Sequence, residues 1–202
     1  MRTRQENPAT REKLLETAQH LMLAKGYTAT SVEEICESAN LTKGSFFHYF
    51  ASKEDLGKAV LDRYIDTMFQ AVQNAPFSKK RDPLQRLYGY IDFMIQVAKD
   101  PARRSGCLLG NFAQVLTDTH PEIRAQCAAH FSLWAEKLKQ ELDAAKAVYK
   151  VKGLDTGSLA DHFIALFEGS LMLAKTRQDL NVIANNLFHF KIYLKSIFAK
   201  KR

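Results

Sequence analysis

The sequence is poor in residues that break or cross-link a chain. It has 9 glycines, 5 prolines and 3 cysteines among 202 residues. Three cysteines cannot all pair within one chain, and they lack the close spacing of a metal knuckle, so we expect no disulfide framework and a reducing compartment. With 46% hydrophobic and 25% charged residues, the composition excludes the disordered and collagen-like classes.

Long apolar runs are also missing. No uncharged apolar stretch of about 18 residues occurs, and the charged opening Met1 to Glu6 leads into no apolar segment of a signal peptide. We therefore expect a cytoplasmic protein without membrane contact.

Sequence signals for catalysis and for metal binding are absent as well. There is no glycine-rich phosphate loop, nucleophile elbow or His-Glu-x-x-His pair, so we expect no enzyme and no cofactor. His120, His130, His162 and His189 form no pair at helical spacing, which argues against a metal site.

The positive charge is concentrated in the second part of the chain. The net charge is +7, but residues 1–75 hold nine Lys and Arg against ten Asp and Glu, whereas residues 76–202 hold twenty against twelve. The clusters at 79–81 and 195–202 are typical of solvated loops and ends. Any binding to DNA must therefore depend on the placement of individual residues.

Helical periodicity runs through most of the chain. Apolar residues recur at three- and four-residue spacing, and neither an alternating β pattern nor an internal repeat occurs. Caps such as Ser31 and stops such as Gly26 divide the pattern into about nine helices. The predicted helices are roughly 11–25, 32–39, 43–49, 53–74, 84–98, 108–116, 122–147, 158–175 and 179–199. The sequence thus predicts an all-α protein.

Two short helices follow the first helix and are separated by a tight turn at Asn40, a residue that tolerates a positive φ. This arrangement is typical of the helix-turn-helix unit, whose second short helix enters the major groove of DNA. The residues expected in its core are Ile35, Cys36, Ala39, Leu41 and Phe46, and those expected on its outer surface are Thr42, Lys43, Ser45 and His48. Gly44 either permits close approach to DNA or packs against the first helix.

The segments Gly26-Tyr27-Thr28, Thr30-Ser31-Val32, Thr42 to Phe50 and Ser52 to Leu56 form a long, specific pattern. Through them, residues 11–56 resemble the DNA-binding domain of the TetR/AcrR transcriptional repressors. The resemblance implies an N-terminal three-helix domain over 1–52 and a C-terminal helical ligand-binding and dimerisation domain over 53–202, entered by a connecting helix over 53–74. It also implies a homodimer that binds a palindromic double-stranded DNA operator and is released by a small-molecule effector.

The same resemblance implies DNA contacts at individual positions. Phosphate contacts fall on Thr30, Ser31, Tyr49 and Lys53, and base or phosphate contacts fall on Thr42, Lys43, Ser45 and His48, with Gly44 beside them. Helix N-termini at Ser31, Thr42 and Ser52 would offer N–H groups to phosphates without net positive charge. The chain departs from the family at Phe47, where a tyrosine hydroxyl usually binds phosphate, and at Asn40, which replaces a turn glycine.

The last two predicted helices are apolar over a wider arc than one chain is expected to cover. Residues 158–199, paired with a second copy, would form a four-helix bundle, and the resemblance places the dimer interface there. An effector pocket is implied by the resemblance alone. Its candidate lining is Phe93, Cys107, Leu108, Phe112, Phe131, Trp134, Phe163, Phe167 and Met172. An aromatic stripe of this kind is more often part of a packed core.

Cys107 is the candidate sensor. It follows Arg103 and Arg104 at a predicted helix start, where cations and backbone N–H groups favour the thiolate. Together with Lys175, it resembles the cysteine and the assisting lysine of an electrophile-sensing member of the family. The alternative is a small apolar residue in the pocket wall.

Three functions therefore stay open at the level of sequence. The first is a ligand-responsive repressor that binds its operator as a homodimer. The second is a DNA-binding regulator on the same scaffold without a small-molecule ligand. The third is a redox or electrophile sensor that acts through Cys107.

Overall fold

The computed structural model describes residues 7–99 and 106–199, and within those ranges it contains nine α-helices and no strand. The predicted all-α class is confirmed. The helices are α1 Pro8–Lys25, α2 Val32–Ser38, α3 Lys43–Tyr49, α4 Lys53–Asn74, α5 Pro83–Lys99, α6 Leu108–Leu116, α7 Pro121–Tyr149, α8 Thr156–Arg177 and α9 Asn181–Phe198, with a 3₁₀ turn at Pro76–Lys79.

The first helix begins earlier than its apolar pattern indicates. The side chain of Asn7 accepts a hydrogen bond from the N–H of Ala9 at 3.0 Å, and Pro8 occupies the first turn. Both features stabilise a helix start, although neither is apolar. Gly26 ends the helix with a φ of 87° and donates its N–H to the carbonyl of Met22.

The tight turn between α2 and α3 has the predicted conformation. Asn40 has a φ of 50°, and the N–H of Leu41 reaches back to the carbonyl of Cys36 at 2.8 Å. Ser31 caps α2 and Thr42 caps α3, each by accepting an N–H of the first turn. The turn and the two caps together place two short helices at a defined angle.

The chain divides into two compact units. The first comprises the residues up to Thr67 together with Leu108–Cys127, and the second comprises Met68–Cys107 together with the residues from Ala128 onward. The helices α4 and α7 therefore contribute to both units. The first unit is larger than the predicted segment 1–52, because α4 and α6 share its core.

The core of the first unit is built on fully buried apolar side chains from five helices. They are Leu14, Ala18 and Met22 of α1, Ile35 of α2, Phe46 of α3, Leu56 and Leu61 of α4, and Leu108 and Phe112 of α6. Arg63 of α4 adds a polar clasp: its guanidinium donates to Glu12 at 2.5 Å, to Glu16 at 3.1 Å and to Gln19 at 2.8 Å, all on α1. Helix α4 is thereby held along the length of α1.

The second unit packs α5, α8 and α9 against one another and against the later part of α7. The rings of Tyr90, Trp134, Phe163 and Phe167 lie together at its centre. Trp134 donates its indole N–H to the hydroxyl of Tyr90 at 2.8 Å, so the polar atoms of both half-buried rings have a partner. Within the described part of the chain, none of the helices combines the length and the hydrophobicity that crossing a bilayer requires.

The neighbours Phe46 and Phe47 provide a matched test of this packing. Phe46 is fully buried, whereas Phe47 is 56% exposed. We expect Phe46→Ala to lower the free energy of unfolding by about 3–5 kcal/mol, because it leaves a cavity in a closed core. Phe47→Ala should change the same quantity by less than about 0.5 kcal/mol. Urea denaturation of both variants measures this difference, and equal losses would contradict the described packing.

Candidate nucleic-acid interface and effector site

The outer face of α3 carries most of the predicted DNA-binding side chains. Lys43, Gly44, Phe47 and His48 are exposed along it, and Thr42 is exposed at its cap. Spacings of three and four residues among these positions place them on one side of the helix. The opposite side is closed by Phe46 and Phe50, which are buried. The first unit therefore presents a short helix whose polar face is open to solvent.

The caps of the two short helices are exposed on the same unit. The hydroxyl of Ser31 accepts the N–H of Glu34 at 3.1 Å. The hydroxyl of Thr42 accepts the N–H of Ser45 at 3.1 Å and also lies 3.1 Å from the hydroxyl of Ser45. Each cap thus places a hydroxyl beside the N-terminal N–H groups of a helix, which is an arrangement that suits phosphate oxygens.

Gly44 has no packing role against the first helix. A Cβ atom built at this position would have only the Thr42 hydroxyl, at 3.6 Å, as a neighbour within 4 Å. The alternative that Gly44 packs on α1 is therefore wrong. The other interpretation, that Gly44 permits close approach to DNA, stays a prediction at this position, where glycine costs about 1 kcal/mol relative to alanine.

Lys43 is the exposed cation of α3, and it pairs with Glu33 of α2. This hydrogen bond lowers the pKa of the Glu33 carboxyl, with a smaller contribution from the charge of Lys43. Both side chains are more than half exposed, so water screens the pair and its net strength is small. A phosphate or a guanine edge can therefore replace Glu33 as the partner of Lys43 at little cost.

Two of the residues predicted to contact phosphate, Thr30 and Lys53, direct their side chains into the protein instead. The side chain of Thr30 is fully buried and donates its hydroxyl to the carbonyl of Gly26 at 2.8 Å. The ammonium of Lys53 donates to the carbonyls of Tyr27 and Thr30 at 3.2 and 3.0 Å and lies 4.3 Å from the centre of the Tyr27 ring. In this conformation both residues brace the loop between α1 and α2.

The pKa values of the Lys53 and Tyr27 side chains are both shifted from their ordinary values. Burial lowers the pKa of the Lys53 ammonium, and it raises the pKa of the Tyr27 phenol to about 12, with a further contribution from the charge of Glu54. A partly buried ammonium that is already bonded to two carbonyls is less available to displace counterions from DNA than an exposed one.

Tyr49 is tied to the start of the first helix. Its hydroxyl accepts the backbone N–H of Asn7 at 2.9 Å and donates to the Asn7 carbonyl at 3.2 Å. Asn7 also caps α1, so the tyrosine links the N-terminus of α1 to the C-terminal end of α3. The sequence pattern did not predict this link, because a residue that lies 42 positions away leaves no local signal.

The second unit brings four of the predicted pocket residues together. Phe131 and Phe167 lie against Trp134 with ring centres 6.4 and 5.9 Å away, and Phe163 lies 6.5 Å from it. A cavity of about 540 Å³ opens between α7 and α8 beside this group. Its lining residues are Phe131, Ser132, Ala135, Glu136, Lys139, Gly157, Asp161, Ile164, Ala165 and Glu168.

The other predicted pocket residues lie elsewhere. Phe93 packs against Phe77 at 5.8 Å in the second unit. Leu108 and Phe112 are buried in the first unit, where Phe112 meets Tyr27 edge-on at 5.5 Å. Met172 is 55% exposed on α8 and therefore does not line an interior cavity. The apolar periodicity of each helix predicts its apolar face, but it does not distinguish a pocket face from a face that another subunit or solvent covers.

Cys107 is buried and has an acidic neighbour. Its thiol forms a hydrogen bond with the carboxyl of Glu168. Burial raises the pKa of Glu168 to about 7, although the hydrogen bond from Cys107 opposes the shift. The cations expected to favour a thiolate, Arg103 and Arg104, and also Ser105, lie outside the described residues. Lys175, the predicted assisting residue, is exposed near the end of α8.

The remaining two cysteines behave as core residues. Cys36 and Cys127 are buried, and burial raises the pKa of the Cys127 thiol to about 11. Across the residues that the structure describes, no three His, Cys, Asp or Glu side chains come together as a metal ion would require.

Comparison with known proteins identifies the family. Residues 14–60 match the bacterial regulatory proteins of the tetR family, and residues 83–190 match the tetracyclin repressor-like C-terminal domain. The second match alone covers more than half of the chain. The chain belongs to the TetR family. It is therefore a helix-turn-helix transcriptional regulator, as the resemblance over residues 11–56 implied.

Individual relatives extend over nearly the whole chain. The transcriptional regulator AcuR of Cereibacter sphaeroides is 30% identical over 166 residues, which cover 81% of this chain and 75% of AcuR. The repressor NemR of Escherichia coli K12 is 27% identical and covers 90% of this chain and 92% of its own. The structure of reduced E. coli NemR matches with a TM-score of 0.78 at 26% identity, over 93% of this chain and 96% of that one.

The contrasting surroundings of Lys43 and Lys53 predict different effects on DNA binding. Lys43→Ala should lower the slope of log affinity against log salt by about 0.9 for each phosphate contact that is lost. Lys53→Ala should leave that slope unchanged and instead lower the free energy of unfolding by roughly 1–3 kcal/mol, because two backbone carbonyls lose a charged donor. Fluorescence anisotropy with a bound DNA duplex at several salt concentrations measures the slope, and urea denaturation measures the free energy of unfolding. A reduced slope in Lys53→Ala would return that residue to the DNA interface.

The raised pKa of Glu168 predicts that the stability of the folded protein depends on pH. Its folded pKa of about 7 lies above its ordinary value of 4.5, so the folded state binds more protons between those values and its stability falls as pH rises from 4.5 through 7. Relative to Glu168→Gln, the wild-type free energy of unfolding should fall over this window by on the order of 3 kcal/mol. Urea denaturation across the window tests this, with the exposed Glu136→Gln as the control. A difference that stays constant with pH would contradict the buried environment.

Proposed function

We propose that this TetR-family regulator is a homodimeric repressor that binds a palindromic operator through α3 and is released by a small molecule bound in the second unit. The observation that carries the proposal is the open face of α3. There, capped helix starts, an exposed lysine and an exposed glycine lie together on a helix that is held from behind by the core.

Dimerisation is supported by an uncovered apolar surface on α8 and α9. Its large side chains are Met172, Leu173, Phe188, Ile192 and Tyr193, each between 37% and 56% exposed. Five large apolar side chains on two adjacent helices form a patch of the kind that marks an interface. A second copy that presents the same patch would complete a four-helix bundle. Two recognition helices would then address half-sites about 34–36 Å apart.

Effector binding is supported by the cavity between α7 and α8 and by the ring cluster around Trp134. Helix α7 runs from this cavity into the first unit, where Gln126 donates to Asp62 at 2.6 Å and Glu122 pairs with Lys58 at 2.5 Å, both on α4. A ligand that shifts α7 can therefore change the position of α4, which Arg63 fastens to α1. The separation of the two recognition helices then changes, and the operator is released.

Two alternatives have distinct signatures. In the first, Cys107 acts as a redox or electrophile sensor, as its segment and Lys175 suggest by their resemblance to the N-ethylmaleimide reductase repressor. Modification of Cys107 would then coincide with loss of operator binding. In the second, the regulator has no small-molecule ligand, and no compound raises the melting temperature of the protein or weakens operator binding.

The dimer predicts that one charge on the α8–α9 patch abolishes operator binding. Phe188→Glu would place a carboxylate in a desolvated interface, so we expect a monomer whose operator affinity falls at least a hundredfold. The matched control is Val148→Glu, since Val148 is 62% exposed at the end of α7 and lies outside the patch. Sedimentation velocity measures the oligomeric state of both variants. Fluorescence anisotropy measures their affinity for a duplex that the wild-type protein selects from a random pool. A dimer that survives Phe188→Glu and still binds would contradict this interface.

A further inference from the structure

Phe47 is an exposed aromatic ring on the face of α3 that points away from the core. Its side chain is 56% exposed, and it follows Lys43 by one helical turn. The neighbouring ring of Phe46 is fully buried and meets Phe47 edge-on, with ring centres 5.1 Å apart and planes at 80°. The Phe47 ring thus contacts the buried ring of Phe46, while more than half of the Phe47 side chain is exposed to solvent.

The position of this ring limits what it can contact. Among the described residues of α3, Phe47 is the exposed large apolar side chain, and the others on its face are Lys43, Gly44 and His48. Gly44 has no side chain to keep another surface at a distance, and a Cβ built there meets nothing but the Thr42 hydroxyl within 4 Å. A surface that docks on α3 can therefore come close to the helix just where the ring emerges.

The chemistry of a phenyl ring then selects the contact. It has no N–H or O–H group, so it cannot donate a hydrogen bond to a phosphate oxygen or to the acceptor atoms of the base edges. The major groove displays one apolar group, the C5 methyl of thymine, and phenylalanine is among the side chains that contact it. An exposed ring on a recognition helix gains free energy by desolvating this methyl and gains nothing from a phosphate.

We propose that Phe47 is a specificity-determining residue that contacts the C5 methyl of one thymine in each operator half-site. The assignment rests on the proposed binding of α3 in the major groove. Within that binding, Lys43 and the helix caps act on phosphates or polar base edges, whereas Phe47 distinguishes thymine from the other bases by its methyl group. The residue thereby adds a specificity that depends on neither hydrogen bonds nor charge.

The size of the effect follows from the area of one methyl group. Burial of a methyl-sized apolar group corresponds to about a fourfold change in affinity. A symmetric dimer makes the contact twice, so loss of both methyls should weaken binding roughly 10- to 20-fold. This is within the range that anisotropy titrations resolve, and it is small enough to leave the complex measurable.

The test removes the methyl from the DNA and the ring from the protein. Duplexes that bind wild-type protein are first selected from a random pool. Each thymine pair related by the operator symmetry is then replaced by deoxyuridine, which lacks the C5 methyl and keeps every hydrogen-bonding group. We expect one thymine pair at which uracil weakens wild-type binding roughly 10- to 20-fold and leaves the affinity of Phe47→Ala unchanged.

A control variant and the alternative outcomes keep the test decisive. His48→Ala should bind more weakly to all duplexes and still show the full uracil penalty at the same pair, because its ring is a separate contact. The assignment is overturned if uracil changes wild-type affinity at no thymine, or if the selected operator has no thymine in the contacted region. It is also overturned if uracil weakens the binding of Phe47→Ala as much as that of the wild type. Failure of the wild-type protein to select any duplex would instead overturn the proposed operator binding itself.

Discussion

Everything that α3 presents on its open face depends on the burial of Phe46 beneath it. A helix of seven residues does not form alone in water, because nucleation costs more than so few hydrogen bonds return. Here the ring of Phe46 is fully enclosed and the hydroxyl of Thr42 caps the first turn. The helix therefore exists as a part of the first unit, and its outer residues are free to differ without loss of the fold.

The same requirement explains why several charged side chains of the first unit are directed inward. Arg63 spans three partners on α1, and Lys53 braces the loop that precedes α2. These cations hold the scaffold on which α3 is mounted. In the proposed operator complex, Lys43 and the oriented N–H groups at helix starts would supply attraction to DNA, which is consistent with a first part of the chain that has nearly balanced charge.

The second unit has aromatic rings packed in its interior and large apolar side chains exposed on its surface. Inside, Trp134 donates its indole N–H to the hydroxyl of Tyr90, whereas the Oε1 atom of Glu168 is buried without a hydrogen-bond partner among the described residues. Outside, large apolar side chains of α8 and α9, among them Phe188, are exposed to solvent, and they form the surface of the proposed dimer interface.

The sequence by itself determined the helices, their caps, the turn at Asn40 and the family, because these depend on local periodicity and on short motifs. It also predicted an outer surface of Thr42, Lys43, Ser45 and His48, of which Thr42, Lys43 and His48 are exposed and Ser45 is half-buried. Only the tertiary structure decided that Thr30 and Lys53 face inward, that Tyr49 bonds Asn7, and that Met172 lies on an outer surface. The reason is physical: helical spacing defines which residues share a face, but the partner of that face is set by contacts between residues that are distant in the chain.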